Sequence, residues 1–149
     1  MKDLKTRILE ATAADLAAIE AALSENLQPN LELVSKVAEH ILFSGGKRLR
    51  PLLMVLCARL CGYRGGYDHT FSIIFEYLHA ATLLHDDLID DATLRRGKPA
   101  AHTVYGSSTA VLVGDFLLAR GLSIAAATGQ PKIIEIIADI TENMSQGEI

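Results

Sequence analysis

Apolar residues recur three or four positions apart through almost the whole sequence, and no other feature restricts the possible folds so strongly. This spacing places the apolar side chains on one face of a helix, whereas a half-buried strand would alternate apolar and polar residues. No stretch shows that alternation convincingly. The composition agrees, because 50% of the residues are apolar, only 5% are aromatic, and Ala and Leu favour helices. We therefore predict one all-α domain over residues 1–149, without a sheet.

About six helices are expected, because Gly, Pro and Asn interrupt the helical pattern at intervals. The predicted helices span about residues 4–27, 31–43, 51–61, 68–91, 107–127 and 133–149. The helix over 51–61 is apolar on most sides, which predicts an interior position. Its two cysteines, Cys57 and Cys61, are expected to be small buried residues, since a zinc site would need further ligands nearby.

Charge and composition exclude several classes of protein. A formal net charge of −4 gives no reason to expect a nucleic-acid partner. Nothing indicates a disulfide scaffold, so a reducing cytoplasm is the expected compartment. No signal peptide is visible, and charged residues such as Asp115 and Arg120 interrupt the apolar runs, so no transmembrane segment is expected.

Four carboxylates fall within six positions at the end of the longest predicted helix. Asp90 follows Asp86 by four positions and Asp87 by three, which predicts that the three project together, with His79 earlier on the same side. Converging carboxylates repel one another unless a cation lies among them, and they also oppose the helix dipole. Oxygen ligands without a nearby cysteine favour Mg²⁺, which often shares its coordination shell with substrate phosphates. The cluster therefore predicts a magnesium-bound diphosphate.

Two basic clusters accompany the carboxylates. Lys47, Arg48 and Arg50 immediately precede or begin the helix near Pro51, where cations are unfavourable unless an anion binds. We expect Arg48 to be solvated and the other two to contact the anion. Arg95 and Arg96 follow the carboxylates after one short loop, and arginine suits phosphate because its donors form a planar fork. These clusters predict two anionic substrates, one metal-bound and one metal-free.

The motifs occur in an order and spacing that resemble a known family. They are Gly-Gly-Lys-Arg-Leu-Arg-Pro (45–51), Glu-Tyr-Leu-His (76–79), His-Asp-Asp-Leu-Ile-Asp-Asp (85–91), Arg-Arg-Gly (95–97), Gly-Asp-Phe-Leu-Leu (114–118) and Gly-Glu-Ile (147–149). From about residue 40 to the last residue, the sequence resembles the all-trans polyprenyl diphosphate synthases, of the octaprenyl or long-chain type. The resemblance implies the N-terminal half of an isoprenoid-synthase helical bundle.

The resemblance also implies a reaction and its residues. In that family an allylic diphosphate ionises as Mg²⁺ draws off its diphosphate, isopentenyl diphosphate attacks the allylic cation head-to-tail, and a proton is lost. The implied magnesium ligands are Asp86 and Asp90, with Asp87 in support, and the implied allylic diphosphate contact is Arg95. The implied isopentenyl diphosphate contacts are Lys47, Arg50, His79 and Arg96. No side chain is assigned as catalytic, and a homodimer is expected.

Product length is expected to depend on residues upstream of the first aspartate motif, where bulky side chains in this family stop the growing chain. Ala81 and Thr82, the fifth and fourth residues before Asp86, are both small. They imply a product longer than farnesyl, with Phe75 as a deeper floor. We expect Ala81→Phe to shorten the product.

The second aspartate-rich motif of the family has no counterpart in this sequence. The acidic residues after Asp91 do not form an Asp-Asp-x-x-Asp pattern, and the last predicted helix has no terminating signal. We therefore expect part of a synthase domain, with little or no activity alone. Two alternatives stay open: a non-catalytic helical partner subunit, and a metal-dependent phosphohydrolase that would use His85 and Asp86 with nitrogen ligands.

Overall fold

The computed structural model describes residues 3–147, and most of them are helical. The helices are α1 (Leu4–Ala11), α2 (Ala13–Leu27), α3 (Glu32–Leu42), α4 (Leu49–Leu60), α5 (Asp68–Ile89), α6 (Ala101–Tyr105), α7 (Ser107–Ala126) and α8 (Pro131–Gly147). Two short strands, β1 (Leu94–Arg95) and β2 (Lys98–Pro99), pair antiparallel. The predicted all-α bundle is confirmed. Two residues of the C-terminal motif, Glu148 and Ile149, lie outside the described residues.

The predicted number of helices was too low, and the prediction of no sheet was wrong. The first predicted helix is divided at Thr12, whose side-chain hydroxyl donates to the carbonyl of Ile8 at 2.8 Å. The segment 93–106, predicted as a loop, contains the β1–β2 hairpin and α6. The hairpin turns through Arg96 and Gly97, which both have positive φ (52° and 76°), as a two-residue type I′ turn requires. Strands of two residues are too short to show alternation in a sequence.

Helix α5 is the centre of the bundle and is contacted by α2, α3, α4, α6 and α7. Its buried side chains include Ile73, Tyr77 and Leu84. The Tyr77 hydroxyl donates to the carbonyl of Leu23 at 2.7 Å, and burial raises the pKa of Tyr77 well above its ordinary value. Burial on several sides fixes the axis and rotation of α5, and hence the direction of every motif residue that it carries.

One stripe of α5 stays half-exposed. Phe75, His79, Thr82 and Asp86 follow one another at spacings of four, three and four residues, and all are of intermediate burial. Such spacing keeps side chains on one face of a helix. The stripe continues to the exposed Asp90, so one face of the central helix is open along most of its length.

Helix α7 makes the most extensive contact with α5. Its length and its mean hydropathy of 1.5 would allow it to cross a membrane. In the structure, however, Val113, Leu117 and Ile124 are buried in the bundle. Glycines permit close packing at this interface: a Cβ at Gly114 would collide with the ring of His85. We therefore interpret α7 as a core helix.

Helix α4 does not lie in the interior, contrary to the prediction. Its buried face is formed by Pro51, Leu52 and Val55. Leu53 and Leu60 are exposed, and so are Cys57 and Cys61, whose predicted burial was wrong. The reason is that α4 lies at the edge of the part of the bundle that residues 3–147 form, where it packs mainly on α5 and α2.

Candidate functional site

The loop before α4, the open face of α5 and the β1–β2 turn surround one polar cavity of about 520 Å³. Lys47 comes from the loop, Arg50 from the first turn of α4, His79 from α5, and Arg96 from the turn. These four residues were predicted from the sequence to contact a diphosphate, and the structure brings them around a single cavity. The cavity is also lined by Gly45, Gly46, Arg48, Leu49 and Glu76. Two segments far apart in sequence, residues 47–50 and the turn at Arg96, thus supply the positive charge of one surface, and α5 adds His79.

Arg48 is not solvated, as the sequence suggested, but is only 6% exposed. Its guanidinium donates to the Glu20 carboxylate at 2.6 and 3.3 Å, to Glu76 Oε1 at 2.9 Å and to the carbonyl of Leu42 at 2.8 Å. Burial lowers the pKa of Arg48, but the hydrogen bonds and charges of Glu20 and Glu76 outweigh this effect, so the pKa is raised. Residues distant in sequence therefore neutralise this cation.

Arg96 lies beside the same loop and donates through Nη1 to the carbonyl of Gly45. Gly46 passes between two guanidinium groups: a Cβ there would lie 3.1 Å from Nη1 of Arg48 and 3.4 Å from Nη1 of Arg96. Only the first distance is tighter than ordinary van der Waals contact, so a side chain at position 46 would require the Arg48 guanidinium to shift by a few tenths of an ångström. The local sequence thus permits two guanidinium groups to hold one short loop.

His79 is half-buried at the edge of the cavity. Burial lowers the pKa of its imidazole, and the charges of Arg50, Arg96 and Arg95 lower it further against an opposing effect of Glu76. A group surrounded by cations favours its neutral form until an anion arrives. His79 can therefore respond to a bound anion by taking up a proton.

The three aspartates predicted as a metal site are not equivalent. Asp87 is 2% exposed, and both of its oxygens accept from the Arg95 guanidinium at 2.6 to 2.9 Å. Its hydrogen bonds raise the pKa of Arg95. Asp86 is half-exposed and Asp90 is exposed on the open face. Within residues 3–147, no three side chains of His, Cys, Asp or Glu are grouped so that they could hold a metal ion.

The residues predicted to set product length also differ. Phe75 and Thr82 belong to the half-exposed stripe of α5, and the Thr82 hydroxyl donates to the carbonyl of His79 at 2.9 Å. Ala81 is fully buried. By helical register it shares a face with Leu78 and His85, the face that packs against α7.

A separate apolar cavity of about 350 Å³ lies between α4, α5 and α8. Phe75 lies in its wall, together with Met54 and Ala58 of α4 and isoleucines of α8. The remaining lining residues are Tyr63, Phe71, Ile74, Ile133, Ile136 and Ile137. The open face of α5 therefore has a polar region near His79 and an apolar region near Phe75.

Sequence reasoning missed two residues of the site, Glu20 and Glu76. Glu76 belongs to the quoted Glu-Tyr-Leu-His motif, and its position one turn before His79 was the available signal. Glu20 lies 28 residues before Arg48 on a different helix, and no local pattern connects them. Oδ1 of Asp115 lies 3.6 Å from Nε2 of His85.

Comparison with known proteins identifies the family. The family described as polyprenyl synthetase matches residues 31–149. Octaprenyl diphosphate synthase of Escherichia coli is 38% identical over 143 residues, which are 96% of this chain and 44% of that protein. The all-trans-nonaprenyl-diphosphate synthase (geranyl-diphosphate specific) of Rhodobacter capsulatus is 36% identical over 148 residues, 99% of this chain and 46% of that protein. The chain thus spans less than half the length of these curated relatives.

Solved structures agree with the sequence relatives. The polyprenyl synthase from Caulobacter crescentus, complexed with calcium and isoprenyl diphosphate, has a TM-score of 0.90 and 39% identity over 96% of this chain and 44% of its own. The decaprenyl diphosphate synthase from Rhodobacter capsulatus has the same TM-score with 38% identity and the same coverage of both chains. The resemblance inferred from the motifs is confirmed: the chain belongs to the polyprenyl synthetase family.

Proposed function

We propose that this chain is the N-terminal part of a polyprenyl diphosphate synthase, a trans-prenyltransferase that joins isopentenyl diphosphate head-to-tail to an allylic diphosphate. The observation that carries the proposal is the polar cavity where Lys47, Arg50, His79 and Arg96 converge. In the reaction, the allylic C–O bond breaks and diphosphate leaves. A C–C bond forms from the double bond of isopentenyl diphosphate, and one proton is lost.

The cavity suits the metal-free substrate, isopentenyl diphosphate. Lys47, Arg50 and Arg96 present cationic groups, and no acid other than Glu76 lines the described cavity. The charge of Glu76 is balanced by Arg48 at 2.9 Å. A diphosphate would also favour protonation of His79, which adds a further donor at the anion. These groups bind and orient the substrate without exchanging a proton in the condensation.

Two of the three predicted Mg²⁺ ligands, Asp86 and Asp90, fit direct coordination of the metal. Asp86 and Asp90 lie on the open face, and Mg²⁺ is commonly held by one or two carboxylates together with substrate phosphates. Asp87 does not fit as a direct ligand, because Arg95 occupies both of its oxygens. We propose instead that Asp87 orients Arg95 toward the allylic diphosphate. When bound, Mg²⁺ would supply Lewis-acid stabilisation of the leaving diphosphate.

Product length is proposed to depend on the open face of α5 below the aspartates. Thr82 is small and half-exposed there, and Phe75 lies in the wall of the 350 Å³ apolar cavity. These features support a growing chain that passes Thr82 and reaches Phe75. They support Thr82 and Phe75 more strongly than the buried Ala81.

We also propose that the synthase acts in the cytoplasm and assembles as a homodimer, with the second aspartate-rich motif supplied outside residues 1–149. A second copy would be detected by sedimentation. The phosphohydrolase alternative is less well supported, because His85 Nε2 lies 3.2 Å from the carbonyl of Val111 and faces α7.

Calorimetric titration of the chain with isopentenyl diphosphate, in the absence of divalent metal, tests the proposed cavity. Because a hydrogen bond to a charged group contributes about 1.5 to 3 kcal/mol, Lys47→Gln or Arg50→Gln should weaken binding by about tenfold or more. Lys36→Gln is the matched control, since Lys36 pairs with Glu32 on the surface of α3. Absence of binding by the unsubstituted chain, or equal affinities for all three variants, would contradict the proposal.

A further inference from the structure

Arg48 is the last residue before α4, and it differs from its neighbours because it is buried while Lys47 and Arg50 are exposed. Its backbone is also unusual, with φ 48° and ψ 33°, in the left-handed region that non-glycine residues rarely adopt. Such a conformation persists only where the surroundings hold it. The contacts of the Arg48 side chain are therefore what keeps this loop in its observed path.

Three elements hold the Arg48 guanidinium. Glu20 comes from α2, Glu76 from α5, and the carbonyl of Leu42 from the end of α3. The guanidinium also lies 5.7 Å from the centre of the Phe43 ring. Glu20 lies upstream of residue 31, where the family match begins. Its contact with Arg48 connects α2 to the cavity, although no residue of α2 is in the described lining.

The position of Arg48 also determines the positions of Lys47 and Arg50. The carbonyl of Arg48 accepts from the amide of Leu52 at 3.1 Å, which begins the hydrogen bonding of α4 and orients Arg50 in its first turn. On the other side, Gly46 is confined between Arg48 and Arg96. Lys47 is therefore connected at both ends to residues that guanidinium groups hold.

The same contact affects the charge of the cavity. Glu76 is buried and lines the cavity, where an unbalanced carboxylate would repel a diphosphate. The buried Arg48 guanidinium lies 2.9 Å from Glu76 and balances this charge.

We propose that Arg48, held by Glu20 and Glu76, is a positioning residue that sets Lys47 and Arg50 around the anion and neutralises Glu76. The proposal rests on the proposed function for the identity of the anion. It does not require Arg48 to touch the substrate. The proposal adds Glu20 to the residues that shape the cavity, although Glu20 is not in its described lining.

The test compares Glu20→Ala and Arg48→Gln with Arg59→Gln in the 149-residue chain. Glu20 is half-exposed on a helix, where Ala is well tolerated, so this variant should fold even if Arg48→Gln does not. Arg59→Gln is the matched control, because Arg59 makes a comparable bidentate pair with Asp15 at 2.5 and 2.7 Å, away from the cavity lining. The measurements are amide hydrogen exchange without ligand at Leu52, whose amide donates to the Arg48 carbonyl, and at the next residues of α4, and the Kd for isopentenyl diphosphate.

Glu20→Ala should accelerate exchange at Leu52 and the next residues of α4 by about tenfold and raise Kd by a similar factor, while Arg59→Gln lowers Tm but changes neither. Unchanged exchange in Glu20→Ala, or equal acceleration in Arg59→Gln, would overturn the positioning role. Failure of the unsubstituted chain to bind isopentenyl diphosphate would instead count against the proposed function, and the exchange comparison would still decide whether Arg48 positions the loop.

Discussion

At the scale of single residues, buried charges divide the motif into groups that face the open side and groups that hold them. Asp87 and Arg48 belong to the second kind: each is almost fully buried and paired with an opposite charge. A sequence shows three aspartates or three cations but not which of them is turned inward. That distinction depends on partners such as Glu20 and Arg95, whose positions tertiary packing decides.

Replacing Asp87 should destabilise the protein more than it changes a metal site. Asp87→Asn would leave Arg95 without its carboxylate partner, and breaking a buried ion pair typically costs about 3 to 5 kcal/mol. The control is Asp91→Asn, at an exposed position with φ 51° that Asn adopts readily, and its effect should be within about 0.5 kcal/mol. Urea unfolding of both variants measures the difference. Equal stabilities would show that the Asp87–Arg95 pair does not hold this end of α5.

His79 should make stability depend on pH. Because burial and nearby arginines lower the pKa of folded His79, the unfolded chain binds the proton more readily than the folded chain. The resulting stabilisation is fully present above the ordinary histidine pKa of about 6.5 and is lost as pH falls through the lower, folded pKa. His79→Gln should flatten this part of the curve of unfolding free energy against pH. An unchanged pH dependence of the unfolding free energy in His79→Gln would show that His79 is not the source of this effect.

At the scale of elements, helical periodicity predicted α5, α7 and α8 well, since each has a long apolar stripe and a clear start or stop signal. Helix α7 begins at Ser107, as predicted, and α8 begins at Pro131, two residues before the predicted start. The β1–β2 hairpin could not be predicted, because two positive-φ residues, Arg96 and Gly97, leave little mark in a sequence. The exposure of α4 could not be predicted either, since an apolar helix is equally consistent with a core or with an uncovered edge.

Packing of α5 on α7 should separate the two small residues upstream of the aspartates. Ala81 faces α7 and is fully buried, so Ala81→Phe should overpack the interface and cost about 1 to 3 kcal/mol. Thr82 is half-exposed on the open face, and Thr82→Phe should cost less than about 1 kcal/mol. Chemical denaturation of the two variants provides the comparison. A larger loss of stability in Thr82→Phe than in Ala81→Phe would contradict the assignment of Ala81 to the α7 side of α5 and of Thr82 to the open face.

The different positions of Ala81 and Thr82 determine how product length should be tested. A shorter product from Ala81→Phe, as the sequence predicts, would be mixed with the effect of a distorted α5–α7 interface. Thr82→Phe would place the same ring on the open face without that disturbance. Of the two, Thr82 is therefore the better position for a test of the product path in a complete synthase.

At the scale of the whole molecule, residues 3–147 expose several large apolar side chains on α4 and α8. Leu53 and Leu60 of α4 and Ile136, Ile140 and Met144 of α8 are exposed, and Ile136 also lines the apolar cavity. Monomeric proteins rarely expose large contiguous apolar areas. The curated relatives are more than twice as long as their match to this chain, so those proteins have further residues that the match does not include.

The 149-residue chain alone should bind isopentenyl diphosphate but not condense it. Loss of a diphosphate concentrates negative charge, and Asp86 and Asp90 offer carboxylates from one side of the open face only. No second Asp-Asp-x-x-Asp pattern follows Asp91 in the sequence. Incubation with Mg²⁺, an allylic diphosphate and labelled isopentenyl diphosphate should therefore give no labelled prenyl product, while calorimetry on the same preparation detects binding. Sustained turnover by this polypeptide would mean that one aspartate-rich motif is sufficient, and that the open face of α5 is closed by something other than a second half of the domain, such as another copy of the chain.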